Sequence, residues 1–166
     1  MRSQLMRAGL TAVIASFCVI ATHAVESVPV EAFDLPEDLE VTLWASSPLL
    51  YNPTNIDVDH KGRLWVAEGV NYRKFRNKTS RTHPVGDRIM ILEDTDGDGK
   101  ADSSKVFWQD SSLVAPLGVA VIDNKVIISQ PPSLIAITDV NRNDRFDYGD
   151  IKEILLTGFE GLDHDH

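Results

Sequence analysis

Short runs of apolar residues, many of them alternating with polar ones, are separated by turn residues along most of the chain. None keeps a helical period over a useful length, whereas short β-branched and aromatic runs bounded by Gly, Pro, Asn or Asp are typical of strands. The pattern predicts strands at 41–45, 88–93, 105–108, 134–138 and 151–156, with hairpins over 55–68 and 117–129. We therefore predict an all-β protein.

One order of elements occurs twice. In each copy an opening strand, at 41–45 or 105–108, is followed by a hairpin, an apolar strand and an Asp-rich loop, and the strand at 151–156 is expected to open a third unit. The loops begin 45 residues apart, at Asp94 and Asp139. A four-stranded propeller blade occupies about 40–50 residues. We expect a partial β-propeller of about two to three blades, with a sandwich or jelly roll as the alternative. Propellers close with about four to eight blades, so we also expect an N-terminal fragment of a longer protein.

Both loops carry oxygen-bearing side chains at relative positions 1, 3, 5 and 9, the spacing with which a short loop wraps Ca²⁺. Carboxylates this close repel one another without a cation. Strands rather than helices flank the loops, so we expect a structural calcium role unlike that of an EF-hand. The alternative is a metal-free Asp/Gly turn. The candidate ligands are Asp94, Asp96, Asp98, Lys100 and Asp102 in the first loop, and Asp139, Asn141, Asn143, Asp147 and Asp150 in the second.

The second loop is the weaker candidate. Asn replaces Asp at two of its positions, and Asp144 stands where the first loop has a glycine. For this loop the metal-free turn and the calcium site are both open readings.

The N-terminus has the form of an export signal. Arg2 and Arg7 precede an apolar run over 8–21, and Ala24 offers a small residue for cleavage. We predict a signal peptide at 1–24, an acidic entry arm at 25–40 and the partial propeller at 41–166. The run is too short for a membrane span, so we expect a periplasmic or extracellular protein with no span after cleavage.

Charge and cysteine content narrow the possible partners. The formal net charge of −9 argues against nucleic acid and anionic membranes. Cys18 is the only cysteine and would leave with the signal peptide, so the mature chain has no disulfide and no haem-attachment motif.

Two further groups of residues are candidates for chemistry. A basic insertion at 69–86 interrupts the first copy, and Glu68, Tyr72 and Arg73 at its mouth are the polar groups expected to face a pocket. The alternative is a solvated charged loop. His164 and His166 alternate near the end of the sequence and could bind a metal or act as a general base, unless they belong to a polar tail.

The segments 65–68, 87–102 and 158–166 together resemble a known family. They are similar to the N-terminal propeller of the large secreted "membrane-bound dehydrogenase" proteins of planctomycete-type bacteria, which is itself similar to quinoprotein glucose/sorbosone dehydrogenases. The resemblance covers roughly 35–166.

This resemblance implies a six-bladed-type propeller that oxidises a sugar or polyol through a quinone such as pyrroloquinoline quinone. It also implies electron transfer to a downstream haem-c domain or another acceptor, with His164 or His166 as base on the substrate hydroxyl. Much of a propeller is missing, so we expect this fragment alone to be inactive. The alternatives are a non-catalytic, calcium-stabilised propeller that binds carbohydrate or protein, and a calcium-dependent adhesion module.

Overall fold

The computed structural model describes residues 28–72 and 82–158. The predicted signal peptide, Arg73, His164 and His166 lie outside these residues. The described N-terminal arm contains one short 3₁₀ helix, Val30–Ala32. Within the described ranges no helix has the length and apolar character needed to cross a membrane.

In the described parts of the chain eight strands form two four-stranded antiparallel sheets, which confirms the prediction of an all-β protein. The order along each sheet follows the order in the chain, β1-β2-β3-β4 and β5-β6-β7-β8. The first sheet contains β1 (Pro53–Val58), β2 (Leu64–Glu68), β3 (Arg88–Glu93) and β4 (Ser103–Gln109). The second contains β5 (Gly118–Ile122), β6 (Lys125–Gln130), β7 (Ser133–Thr138) and β8 (Ile151–Thr157).

The strand predicted at 41–45 is wrong. This segment has no strand conformation and lies over the outer face of the first sheet, where Trp44 packs near Val66 and Met90. The Ala101 N–H donates a 2.7 Å hydrogen bond to the Trp44 carbonyl. The apolar residues of 41–45 thus cover a sheet face instead of extending the sheet at its edge.

The predicted grouping of strands is also wrong by one strand. The segments at 105–108 and 151–156 were expected to open new units, but β4 and β8 are the last strands of their sheets. A short Asp-rich loop can join neighbouring antiparallel strands, so the strand after each loop pairs with the strand before it. The described chain therefore holds two complete four-stranded units.

The main hydrophobic core lies between the two sheets. Trp65 and Phe107 of the first sheet are in edge-to-face contact, with ring centroids 4.9 Å apart. Across the interface the second sheet contributes β-branched side chains from β5, β6 and β7. The buried members are Trp65, Ala67, Ile89, Ile91, Phe107, Trp108, Leu113, Val119, Val126, Ile128, Ile135 and Ile137. Each sheet thus buries one face against the other.

Side chains of β1 also satisfy the free edge of β5. Asn55 and Asp57, two residues apart and so on one face of β1, accept hydrogen bonds from the Val119 and Val121 N–H groups at 2.8 and 2.7 Å. The Thr54 hydroxyl donates to the Pro116 carbonyl at 2.7 Å. These bonds fix the position of β5 and occupy edge N–H groups that could otherwise pair with another chain.

The two sheets share more than strand order. Each has a register irregularity between its third and fourth strands, after Ile89 in the first sheet and after Leu134 in the second. These residues are equivalent, because each lies five positions before the first Asp of its loop. A bulge inserts one unpaired residue and bends the strand locally. The sheets therefore bend at the same point.

A buried arginine links the two sheets at the end where the Asp-rich loops lie, called the loop end below. The Arg63 Nε donates to Asp59 Oδ2 at 2.9 Å, while Nη1 and Nη2 donate to the two Asp144 oxygens at 2.8 and 2.9 Å. The hydrogen bonds from Arg63 lower the pKa of the Asp144 carboxyl. Asp144 has a φ of 60°. It therefore takes the left-handed conformation expected of glycine and uses its side chain to join the sheets.

We predict that Asp144→Asn destabilises the protein by about 1–2 kcal/mol at neutral pH, because Arg63 loses a charged, two-pronged partner. Since the folded pKa of Asp144 is lowered, its contribution is present above the unfolded value of about 4 and is lost as pH falls through the folded pKa. The difference between variant and parent in urea unfolding should therefore shrink in acid.

Asp123→Asn is the matched control. Asp123 also forms a two-pronged pair, with Arg142, but both side chains are more than half exposed. Solvent screens such an exposed pair, so it contributes little to stability. An Asp144→Asn effect no larger than that of the control would contradict the role of Asp144 as an inter-sheet link.

Candidate metal centre

Both Asp-rich loops lie at one end of the sheets. The first joins β3 to β4 and the second joins β7 to β8. The turns of the hairpins β1–β2 and β5–β6 lie at the same end, because the start of β2 pairs with the end of β3 and the start of β6 with the end of β7. The insertion at 69–86 follows β2 and precedes β3. Its described ends, 69–72 and 82–86, therefore lie at the opposite end from the loops.

Backbone N–H groups of the first loop converge on the Asp94 carboxylate. Gly97 and Asp98 donate to its Oδ1 at 2.7 and 3.2 Å, and Gly99 donates to its Oδ2 at 2.9 Å. The pKa of Asp94 is lowered, and the hydrogen bond from the Gly99 N–H is the largest cause. Burial raises this pKa, whereas the bonds from the Gly97 and Asp98 N–H groups lower it further. Gly97 and Gly99 have φ values of 78° and 86°, a region that favours glycine.

Three carboxylates of this loop meet at its centre. Oxygens of Asp94, Asp96 and Asp102 all lie within 4.8 Å of one another. Within the described chain no Lys or Arg forms an ion pair with them. The donor set, carboxylate oxygens without nitrogen or sulfur, suits a hard cation such as Ca²⁺.

The other candidate ligands of the first loop lie at the edge of this group. The Asp98 carboxylate accepts the Lys100 N–H at 2.8 Å, so the two residues bond to each other. Lys105, at the position where an EF-hand has an acid, extends to the second loop, where its amino group donates to the Asn143 carbonyl. The loop thus offers three converging carboxylates and no acid at position 12.

The second loop repeats the backbone arrangement of the first. The Asp139 carboxylate accepts the Asn143 and Asp144 N–H groups at 3.2 and 2.8 Å. Arg142 and Asp144, with φ values of 57° and 60°, stand where the first loop has Gly97 and Gly99.

The side chains of the second loop satisfy one another. The Asn141 and Asn143 amides donate to the two Asp147 oxygens at 3.2 and 2.8 Å. The Asp150 carboxylate accepts the Val140 and Asp147 N–H groups, both at 2.9 Å. The amide groups of Asn141 and Asn143 thus stabilise the negative charge of Asp147, which a bound cation would otherwise offset. The first loop has Asp96 and Asp98 at the equivalent positions, and a carboxylate cannot donate.

Of the predicted cofactor-binding residues, Glu68 is fully buried and already bonded. The Arg88 Nε and Nη2 donate to its oxygens at 2.6 and 2.9 Å, and the Tyr51 N–H donates at 2.8 Å. Tyr72 is half-buried, and its N–H bonds to the Gly69 carbonyl. Sequence reasoning missed Arg88, although pairing β2 with β3 places it opposite Glu68.

A small polar cleft lies between the two sheets at the loop end. Its volume is about 70 Å³. Ligand pockets usually measure about 300–1,000 Å³, so the cleft suits a few water molecules better than a sugar. It is lined by His60, Lys61, Arg63, Trp65, Asp123, Asn124, Val126, Asp139, Arg142 and Asp144.

Comparison with known proteins gives one family. A family model described as Domain of unknown function (DUF7133) matches residues 26–166. The chain belongs to the DUF7133 family. No curated protein and no solved structure matches it.

In this DUF7133 chain we predict that the double substitution Asn141→Asp/Asn143→Asp makes the second loop dependent on a cation. Without metal, the new carboxylates face Asp147 and should lower the free energy of unfolding by about 1 kcal/mol or more. Added Ca²⁺ should restore part of the loss. The measurement is the melting temperature in chelator and in Ca²⁺. A melting temperature in chelator equal to that of the parent would contradict the argument that the amides replace a cation.

Proposed function

We propose that this DUF7133 chain is an exported, calcium-stabilised part of a β-propeller-type scaffold whose activity is to bind carbohydrate or protein. The observation that carries the calcium part is the contrast between the two Asp loops. They share one backbone arrangement, but only the second carries amides that satisfy its carboxylates. In the first, Asp94, Asp96 and Asp102 converge without side-chain amide donors, and the one side-chain donor to them in the described loop is the Thr95 hydroxyl, 2.8 Å from Asp102.

The way in which the sheets stack supports the propeller-type architecture. Ile89 of the first sheet packs against the second sheet. Its equivalent, Leu134, lies on the face of the second sheet that points away from the first. Leu134 directly precedes Ile135, which belongs to the core between the sheets, and successive side chains of a strand point to opposite faces. The sheets thus pack head to tail, with unlike faces in contact, as successive blades do. A two-sheet sandwich would not leave an apolar face of the second sheet uncovered.

The place of the first loop supports a structural role for the cation. Ala101, between Lys100 and Asp102, packs with Val66 and Met90 and binds the Trp44 carbonyl. A cation that fixes this loop would also fix the arm segment over the outer face of the first sheet. It would lie a full strand length from residues 69–72 and 82–86, so a ligand bound between those residues would not touch it.

We predict that chelator-treated chain binds Ca²⁺ and that Asp96→Ala weakens this binding about tenfold or more, because one of three converging carboxylates is lost. Calcium should raise the melting temperature of the parent, since a cation that binds only the folded state stabilises it. The measurement is calorimetric titration with thermal unfolding alongside.

Asp123→Ala is the control for this test, because it removes an acid outside the loop and should leave calcium binding unchanged. A parent melting temperature that is the same with Ca²⁺ and with chelator would overturn the calcium proposal.

Oxidation of a sugar or polyol through a quinone stays a prediction of the resemblance. The bonds that Glu68 already makes leave it little capacity to hold a quinone. The assay is reduction of an artificial electron acceptor by the chain with added pyrroloquinoline quinone and a panel of sugars. Retention on an immobilised polysaccharide or protein without turnover would favour the binding function, and turnover would favour the dehydrogenase.

A further inference from the structure

The second sheet has an apolar face that points away from the first sheet. Residues two apart on a strand share a face, and so do cross-strand partners, which places Ile122, Ile127, Leu134, Ala136 and Leu156 together. We call this set the outward face. Ile122 is 64% exposed and Leu156 is 54% exposed. Lys125 and Glu153 also lie on this face and form an ion pair at 3.8 Å. Isolated exposed apolar residues are ordinary, but apolar residues from all four strands on one face mark an interaction surface.

The outward face matches the first-sheet face that the second sheet covers. Leu134 is equivalent to Ile89, and their β8 and β4 partners are Leu156 and Trp108. In the first sheet Ile89 and Trp108 are buried, at 0% and 4% exposure. By the same register, Ile127 is equivalent to the buried Trp65. Equivalent positions are thus apolar in both sheets, but only those of the first sheet are covered.

What covers the first sheet defines the kind of partner. It is the inner face of an antiparallel sheet, rich in β-branched side chains such as Val119, Ile128 and Ile135. We propose that the outward face is an interface for a further antiparallel sheet with such a face, which packs head to tail as the second sheet packs on the first. This inference rests on the propeller-type architecture proposed above.

A second copy of the chain does not fit this arrangement. Head-to-tail packing would require the outer face of the copy's first sheet, and Trp44, Leu49 and Leu50 of the chain's own arm already pack there. The partner also differs from the second sheet in one respect. Gly118 and Ala120 occupy the positions equivalent to Asn55 and Asp57, so the partner's first strand receives no side-chain acceptors from β5.

The test extends the full chain with a partner of the stated chemistry. A second copy of residues 118–158 is appended after residue 166, so that about nine residues join β8 to the copy, close to the length of the 110–117 connection between the sheets. We expect one cooperative unfolding transition with a melting temperature about 5 °C above that of the unextended chain. Hydrogen exchange should slow at Ile127, Leu134 and Leu156 of the original sheet.

Leu156→Glu in the original sheet should abolish this gain, while leaving the melting temperature of the unextended chain nearly unchanged because the side chain is exposed. The matched control is Ile154→Glu. Ile154 lies on the same strand and is 65% exposed, but it pairs with Ile135 and so belongs to the opposite face. The control should keep the gain.

Four outcomes would overturn the proposal, the last of them by removing the architecture on which it rests. The appended copy could exchange its amides freely, the exchange of the original sheet could stay unchanged, or the unextended chain could dimerise through the same residues. Calcium binding to the unextended chain is measured separately and does not depend on Leu156. Failure of the calcium proposal and failure of the interface are therefore distinguishable. If the extended chain folds with its copy in a separate, independent transition, the head-to-tail architecture itself fails.

Discussion

The apolar interface between the two sheets is the contact on which the rest of the structure depends. A single four-stranded sheet gains stability only when a face is covered. The first sheet covers Trp65, Ile89 and Trp108 with the second, and the second covers Ile128 and Ile135 with the first. The arm segment with Trp44 covers the remaining face of the first sheet. Removing the interface would expose both sheets at once.

Polar groups around this interface determine how the sheets meet. Asn55 and Asp57 hold the edge of β5, and Arg63 joins the β1–β2 turn to the second Asp loop. The bond between Asp144 and Arg63 explains why the second loop has an aspartate where the first has a glycine. A glycine would serve the turn alone, whereas aspartate adopts the same backbone conformation and also binds Arg63. In the second loop, contact with the neighbouring sheet and internal amide bonds replace the function that we propose for a cation in the first.

The sequence predicted most of the strands, because apolar residues in β1 to β8 either alternate with polar ones or form short continuous runs. Turn residues such as Gly, Asn and Asp mark their ends. The same signal failed at 41–45, where Trp44 packs onto a sheet face. Periodicity alone cannot distinguish that contact from strand pairing. The Arg88 partner of Glu68 follows once β2 and β3 are paired. The pairing of Asp144 with Arg63 does not follow from strand pairing. The two residues are 81 positions apart, and only the stacking of the sheets brings them together.

The most direct test of a shared core is urea unfolding followed by tryptophan fluorescence and far-ultraviolet circular dichroism on the same samples. A Trp44→Phe variant leaves Trp65 and Trp108, both at the inter-sheet interface, as the reporters. If the sheets stabilise each other, the two signals should change in one coincident transition. Loss of the fluorescence signal at lower urea than the circular dichroism signal would show that the sheets separate before they unfold, and would contradict the account.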